Sequence, residues 1–303
     1  MAPHKADSAL PRAQVRPPWR VRGNYSPSPI DRTRPFVFLL FPRNRDVEFI
    51  DVNITVPDAL NGTDETKEGT ATGTDADQTA PSLRIKVPGG KFTAVNFTVK
   101  LANGGKGGDA TAIPTQTLCD TTAIAGKGGP SGNLKITAKG AIDIKKMTIT
   151  PGKSGDGGKA TATGCTRPRC SKKDGGTATA TGGAGADNKK VLRTRGVTGV
   201  DNITINDVVA GDGGDAVATG GNGSDDEPTG FAGGTATATA GIKGEASVTA
   251  DVPATATNGK DGTTTETNGN KGADVICTAA DTGDATPTPA HSFVDGSYTG
   301  DNG

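Results

Sequence analysis

The stretches GGKATATG at 157–164, GGTATATGG at 175–183 and GGDAVATGG at 213–221 decide the fold of this chain. Each one joins a pair of glycines to an alternation of alanine with threonine or valine. In a β-strand such alternation places one residue type on each face, and β-branched threonine favours the pleated conformation. Alanine on the inner face suits a narrow interior. The pattern therefore predicts short strands that stack into a thin, repetitive body.

A longer repeat surrounds these stretches. Three units begin at Leu83, Leu134 and Leu192, so that their starts lie 51 and 58 residues apart. Each unit contains two apolar strands, a Gly-Gly turn and an ATA-like strand, and a half-unit copy follows in GGTATATGG and in GGTATATAG at 233–241. One repeat cannot bury its own face, so neighbouring repeats must stack. We therefore predict that each repeat, about 55 residues long, holds two coils.

The second strand of each unit has an apolar–threonine–apolar centre. It reads NITV at 53–56, NFTV at 96–99, KMTI at 146–149 and NITI at 202–205. Aligning these motifs predicts that Ile54, Phe97, Met147 and Ile203 occupy equivalent inward positions, with Thr98 and Thr204 on the opposite face.

The glycine pairs are interpreted as the corners of the coils. A solenoid must change direction within a few residues, and glycine adopts positive φ without the steric cost that a Cβ incurs. We predict positive φ for at least one member of each of these pairs: Gly107–Gly108, Gly157–Gly158, Gly175–Gly176, Gly213–Gly214 and Gly233–Gly234.

The predicted fold class is all-β, a β-solenoid or parallel β-helix-like repeat stack. Residues 1–45 are basic and Pro-rich, which indicates a disordered arm. Residues 46–253 form the Gly/Thr/Ala-rich β-repeat body. Residues 254–303 are interpreted as a weak, low-complexity coil followed by a flexible tail.

Composition argues against an enzyme. The 303 residues include one Trp, two Tyr and eight Phe, too few for a large aromatic core, and the formal net charge is zero. Both histidines, His4 and His291, lie in the predicted tails, so no Ser/His/Asp or Cys/His arrangement can be placed on ordered strands. We predict no catalytic residue and no required cofactor.

The arrays GGKATATG, GGTATATGG and GGDAVATGG resemble those of uncharacterised Gly-rich repeat proteins found among fungi and bacteria. The resemblance covers about residues 83–241. It implies a β-solenoid-like array and no particular activity.

Calcium is the one metal that the sequence suggests. GDGGDA at 211–216 is similar to part of a calcium-binding nonapeptide repeat, in which carboxylates and turn carbonyls coordinate the ion. The candidate ligands are Asp109, Asp156, Asp212 and Asp215. The glycine-rich turns are isolated rather than tandem, however, so we favour a turn-forming role for these residues.

Threonines form the second candidate surface. Thr177, Thr179 and Thr181 should align with Thr235, Thr237 and Thr239 if the coils stack. Such flat arrays resemble the ice-facing surface of some antifreeze proteins, although strand propensity alone also explains threonine here.

Four cysteines and several sequons suggest secretion. Cys165 and Cys170 flank TRPR, and we predict a local disulfide between them. Asn24, Asn53, Asn61, Asn96, Asn202 and Asn222 lie in Asn-x-Ser/Thr sequons, of which we take the last five as predicted glycosylation sites. No signal peptide is visible, and the apolar run PFVFLLFP at 35–42 is too short to cross a membrane. We expect an extracellular or cell-surface location.

These observations favour a non-enzymatic structural or surface-associated repeat protein of a wall, coat or matrix. The expected partners are wall polysaccharide or a second copy of the chain, and nucleic acid is disfavoured. The alternative is a module that binds calcium or ice.

Overall fold

The chain folds as an all-β parallel solenoid in the computed structural model, which describes residues 19–25, 36–41, 45–77, 80–167, 173–189, 191–195, 198–200, 202–225, 230–247 and 256–271. The described residues contain no helix, and every strand pairing among them is parallel. The predicted fold class is confirmed.

The strands are short, as the alternating segments between glycines predict. In chain order they are β1 (Trp19–Tyr25), β2 (Phe36–Leu40), β3 (Val47–Thr55), β4 (Glu65–Glu68), β5 (Thr70–Thr72), β6 (Ser82–Val87), β7 (Phe92–Lys100), β8 (Ala110–Ile113), β9 (Thr121–Ile124), β10 (Leu134–Ala138), β11 (Ile142–Ile144) and β12 (Met147–Thr150). They continue as β13 (Ala160–Thr163), β14 (Ala178–Thr181), β15 (Asn188–Lys189), β16 (Leu192–Arg195), β17 (Thr198–Val200), β18 (Ile203–Ile205), β19 (Val208–Val209), β20 (Ala216–Thr219), β21 (Ala236–Thr239), β22 (Ala246–Ser247), β23 (Ala256–Thr257) and β24 (Thr264–Thr267).

Four sheets run along the stack. Sheet A contains β1, β3, β7, β11, β12, β17 and β18, and sheet B has the order β16-β10-β6-β2. Sheet C has the order β24-β20-β13-β8-β4, and sheet D has the order β21-β14-β9-β5. Two short pairs, β15 with β22 and β19 with β23, complete the stack.

One repeat makes one long coil, not the predicted two. The chain passes from β6 in sheet B to β7 in sheet A, then through a glycine-rich segment to β8 in sheet C, and returns through β9 in sheet D to β10. The strands of GGKATATG and GGTATATGG therefore belong to different sheets. Their alanines face each other in one core, whereas the prediction stacked them as successive coils.

Sheets A and B enclose a core of large side chains, and we call this half of the coil the apolar lobe. Phe49 packs edge-on against Phe92 and Phe97, with ring centroids 5.1 and 5.2 Å apart. Leucine, isoleucine and valine from both sheets fill the remainder.

Sheets C and D enclose almost only alanine, and with their flanking glycine-rich segments they form the glycine lobe. Ala110, Ala160 and Ala216 stack in register on sheet C, while Ala178 and Ala236 stack on sheet D. All five are buried, so the two sheets approach closely. The predicted inner alanine and outer threonine are confirmed.

The predicted register of the long repeats is confirmed from Leu83 onward. Leu134 pairs with both Leu83 and Leu192, and Met147 pairs with both Phe97 and Ile203.

The prediction for Ile54 is wrong by two residues, because Ile54 pairs with Val99 and it is Val52 that pairs with Phe97. The two strands align at a shared kink, which lies at Asn96 within NFTV but at Asp51, two residues before NITV. Asp51 and Asn96 both adopt positive φ, 52° and 56°, and the Asn96 side-chain amide donates to Asp51 Oδ1 at 2.8 Å.

The glycine-rich segments of the middle of the coil have a period of three. The amides of Leu101, Gly104, Gly107 and Ala110 each donate to the next coil, at 2.9 Å in every case. The amides of Gly126, Gly129 and Gly132 donate across the lobe to the carbonyls of Gly108, Gly105 and Ala102. Three residues per turn, with hydrogen bonds to neighbouring segments, is the geometry of polyproline II.

The glycine pairs are not corners, and the prediction of positive φ at them is wrong. Positive φ occurs among the described glycines only at Gly23 and Gly69. The pairs lie in straight segments, where the constraint is packing: a Cβ on Gly158 would overlap the carbonyl of Gly108, and one on Gly214 would overlap the carbonyl of Gly158. Glycine is needed because backbone packs directly on backbone.

The body begins before the predicted boundary at residue 45. Within the segment predicted as an arm, β1 pairs with β3 and β2 pairs with β6. The reason is local: WRVRGNY alternates, and the run FVFLL supplies one more apolar strand, features that the average composition of 1–45 conceals. At the other end, β24 pairs with β20 as a further strand. The predictions for 1–18, 26–35, 42–44 and 272–303 lie outside the described residues.

Candidate threonine binding faces

Two threonine faces cover opposite sides of the glycine lobe. The sheet D face consists of Thr70, Thr72, Thr122, Ile124, Thr179, Thr181, Thr237 and Thr239, extended by Thr177 and Thr235. The sheet C face consists of Thr66, Glu68, Thr111, Ile113, Thr161, Thr163, Val217, Thr219, Thr265 and Thr267.

The predicted threonine ladder is confirmed. Thr179 pairs with Thr237 and Thr181 pairs with Thr239, and the pairing continues to Thr122 and Ile124 in the preceding coil. Parallel pairing sets the neighbours in a column about 4.8 Å apart, and the two columns lie about 6.6 Å apart along the strands. The result is a regular array of methyl and hydroxyl groups. The columns of Thr122, Thr179 and Thr237 and of Ile124, Thr181 and Thr239 contain no ionisable side chain, whereas Asp120 precedes Thr177 in the outer column and accepts from its amide and hydroxyl at 2.8 and 2.9 Å.

Charged residues lie beside the threonine faces, along the glycine-rich segments. Lys106 pairs with Asp109 at 2.8 Å, and Lys153 pairs with Asp156 and Asp212 at 2.8 and 3.4 Å. Lysine and aspartate side chains of both signs therefore line the middle of the coil.

The four aspartates predicted as calcium ligands act instead as acceptors for backbone amides. Each accepts the amide of the residue stacked on it in the next coil, at 2.7 or 2.8 Å: Asp109 from Lys159, Asp156 from Asp212, Asp212 from Lys260 and Asp215 from Thr263. These bonds satisfy amides that point away from both neighbouring glycine segments.

Hydrogen bonds lower the pKa of the Asp109, Asp212 and Asp215 carboxyls. For Asp212 the main cause is the Lys260 amide, and for Asp215 it is the Thr263 hydroxyl followed by the Thr263 amide. Burial raises the pKa of Asp109, but bonds from Lys106 and from the Lys159 amide outweigh it.

The calcium prediction is not supported by this arrangement. Among the described ranges, no three His, Cys, Asp or Glu side chains come together as a metal site. The favoured alternative, a turn-forming role for aspartate, differs from the structure as well, because each carboxylate accepts an amide of the next coil and not of its own turn.

The disulfide joins Cys119 to Cys165, so the predicted Cys165–Cys170 bridge is wrong. The two residues face each other across the glycine lobe, Cys119 before β9 of sheet D and Cys165 after β13 of sheet C in the next coil. Their Cα atoms lie 4.7 Å apart, and the Cys165 amide donates to the Cys119 carbonyl. Spacing in the sequence could not show this contact, because it arises from the way sheets C and D face each other. Cys170 and Cys277 lie outside the described part of the chain.

A cleft of about 620 Å³ opens beside this disulfide, at the tip of the glycine lobe. Its lining mixes polar and apolar surface and includes two positively charged side chains, Arg167 and Lys173. Arg167 donates through Nε to the Asp174 carbonyl at 3.0 Å. The lining residues are Pro114, Thr115, Gln116, Thr163, Gly164, Cys165, Thr166, Arg167 and Lys173.

The five sequon asparagines predicted as glycosylation sites are all exposed: Asn53, Asn61, Asn96, Asn202 and Asn222. Four of them also make side-chain hydrogen bonds. Asn61 Oδ1 accepts the Lys106 amide and Asn222 Oδ1 accepts the Asn270 amide. The side-chain amides of Asn53 and Asn96 donate to Asn24 Oδ1 and Asp51 Oδ1. Glycosylation stays a prediction. His4 and His291 lie outside the described residues.

Sequence reasoning missed the ladder of Asp and Asn side chains that satisfies every third amide. The signal was present as polar residues three apart, for example Asp58, Asn61 and Asp64, whose side chains accept the amides of Asn103, Lys106 and Asp109. This three-residue spacing can be interpreted only when the segments are known to have three residues per turn.

Comparison of the chain with family models, with curated proteins and with solved structures finds no match. Within the residues that the structure describes, no helix has the length and apolar character needed to span a membrane.

Proposed function

We propose that this chain is a non-enzymatic structural rod of a wall, coat or matrix, which attaches to extended polysaccharide through its threonine faces. The observation that supports this most strongly is the in-register sheet D face, where Thr179 stacks on Thr237 and Thr181 on Thr239. Flat, uncharged columns suit a partner that is itself flat and periodic.

The scaffold is well suited to present such a face. Short strands held on both sides by ladder hydrogen bonds keep the threonines in fixed positions, and β-branched side chains have few rotamers to lose on binding. Each hydroxyl can donate and accept a hydrogen bond, while each methyl offers apolar contact to a sugar ring.

Co-sedimentation with insoluble chitin, cellulose and β-glucan tests this proposal. We expect the parent protein to bind at least one polymer and the double variant Thr179→Arg, Thr237→Arg to lose most of that binding, because the long side chains hold the surface away. The matched control is Thr204→Arg, an exposed position on sheet A. Equal binding by all three proteins, or none by the parent, would contradict the proposal.

Ice is a second candidate partner, and the regular threonine columns favour it. An ice lattice presents repeating water positions that fixed hydroxyls and methyls could match, and it requires no charge. Ice recrystallisation assays with the same variants separate the two candidates. Inhibition by the parent and by Thr204→Arg, but not by the double variant, together with failure to bind the polymers, would favour ice.

A further inference from the structure

In the interior of the stack, backbone amides of β14 and of the segment after it donate to carbonyls of the following coil. Ala178, Gly182, Gly185 and Asn188 donate to the carbonyls of Thr235, Thr239, Ile242 and Glu245 at 2.8–3.0 Å. The same edge in the next coil, β21 and the segment after it, has no further strand paired with it among the described residues.

Side chains of the last half-coil satisfy this edge. Glu266 Oε1 accepts the Ala238 amide at 2.7 Å, and Asn268 Oδ1 accepts the Ala236 amide at 2.9 Å. Farther along, Asp261 Oδ1 accepts the Lys243 amide at 3.0 Å and Asn258 Oδ1 accepts the Ala246 amide at 2.8 Å.

These four amides are the counterparts of amides that bind a following coil in the interior. Ala178 is paired with Ala236 and Ala180 with Ala238, while Asn188 is paired with Ala246. Side-chain oxygens therefore stand where main-chain carbonyls of another coil would be.

The position of Glu266 explains how it reaches the opposite sheet. It pairs with Ala218 in a column that holds alanine in three successive coils, Ala112, Ala162 and Ala218. A side chain in that column is directed toward sheet D, and only at the end of the stack is there space for a carboxylate. Inward-pointing charge at a sheet edge is also a recognised barrier to strand addition.

A glutamate also accepts a backbone amide of the opposite sheet at the other end of the stack. Glu65 lies at the first position of the neighbouring alanine column, paired with Ala110, and its carboxylate accepts the Thr72 amide of β5. A glutamate thus bridges sheets C and D at each end.

We propose that residues 256–271 form a terminal cap that closes the amide edge of β21 against strand addition by a second copy of this chain. An uncapped edge is a template for such pairing, and head-to-tail pairing of a solenoid would produce an open filament. The cap removes this edge from such pairing. This inference does not depend on what the threonine faces bind.

The cap variant Glu266→Ala, Asn268→Ala tests the proposal in the full-length protein. The matched control is Thr265→Ala, Thr267→Ala, which alters the outer face of the same strand. Amide hydrogen exchange should become roughly tenfold faster at Ala236 and Ala238 in the cap variant, while exchange at Ala178 and Ala180 stays slow in all three proteins. Faster exchange at those two interior amides as well would indicate general unfolding and would overturn the assignment.

Light scattering across a range of concentrations tests whether the cap prevents end-to-end assembly. The parent and the control should remain one size, and the cap variant should form assemblies whose mass rises with concentration. A cap variant that stays monomeric despite faster exchange at β21, or a parent that already assembles end to end, would overturn the proposal.

Discussion

The apolar lobe and the glycine lobe both stack coil upon coil, but different parts of the chain make the contacts in each. In the apolar lobe, Phe49, Phe92 and Phe97 fill a core between sheets A and B through side-chain contacts. In the glycine lobe, carbonyls and amides of facing segments meet directly. The described side chains between sheets C and D are mostly the methyl groups of alanine, with Thr121 buried among them and polar residues at the ends of the stack. One lobe is held by hydrophobic burial and the other by a dense hydrogen-bond network.

This difference implies opposite responses to mutation. A side-chain core loses stability when atoms are removed, because a cavity remains. A backbone-packed lobe loses stability when atoms are added, because main chain cannot move aside without breaking its ladders.

The largest effect is expected from Gly214→Val. Its side chain would overlap the Gly158 carbonyl, and the Gly214 amide and carbonyl are both engaged with neighbouring segments. We expect the free energy of unfolding to fall by more than about 5 kcal/mol, which is exceptional for one substitution. Thr161→Val, on the outer face of the same lobe, is the control. Denaturant unfolding that shows similar stability for both variants would contradict backbone packing.

Phe97→Ala should have the next largest effect and lower the free energy of unfolding by about 3–5 kcal/mol. Phe97 is fully buried and touches Phe49. The neighbouring Thr98→Ala, on the outer face, should cost less than about 1 kcal/mol. Equal losses in urea unfolding would show that the apolar lobe is not packed as described.

Removing the disulfide should cost about 2–4 kcal/mol. The double variant Cys119→Ala, Cys165→Ala would be compared with the parent by thermal unfolding, and peptide mapping of the oxidised parent should recover Cys119 linked to Cys165. Recovery of a Cys165–Cys170 peptide would restore the pairing predicted from sequence.

Acid should weaken the glycine lobe through its aspartates. Because folding lowers the pKa of Asp212 and Asp215, their contribution is complete above the unfolded value of about 3.9 and is lost as the pH falls below it. The double variant Asp212→Asn, Asp215→Asn keeps the acceptor oxygens without titrating. Its melting temperature should therefore fall less than that of the parent between pH 5 and pH 3, and an identical fall would contradict this role.

The smallest effect is expected from Asp215→Asn alone at neutral pH, below about 0.5 kcal/mol. Asparagine retains the oxygen that accepts from Thr263. Thermal unfolding with calcium and with chelator should give the same melting temperature for parent and variant. Stabilisation of the parent by calcium that the variant lacks would revive the metal hypothesis.

Much of the fold could be predicted because equivalent positions of successive repeats hold the same residue type. Leu83, Leu134 and Leu192 occupy one column, as do Ala160 and Ala216. Alternation fixed which side of each strand faces inward, since a period of two distinguishes the faces. The threonine ladders followed from the same alignment.

The errors share one cause, which is that contacts between segments are invisible in a single segment. The kink at Asp51 and Asn96 set the register of β3 against β7, and the motif containing Ile54 did not. The partner of Cys165 depended on which residue faced it across the glycine lobe. The metal hypothesis failed to anticipate that Asp215 faces an amide of the next coil.

The sequence by itself determined the strand alternation, the repeat length and the inner and outer faces, because these depend on residue chemistry at short range. Only the tertiary structure decided that a repeat is one coil and that its glycines are required by close packing and not by positive φ. It also showed that Glu65 and Glu266 bridge sheets C and D at the two ends of the described glycine lobe. Glycine carries no side chain that could reveal what lies against it. Its role in this protein is defined by the carbonyl of the neighbouring coil.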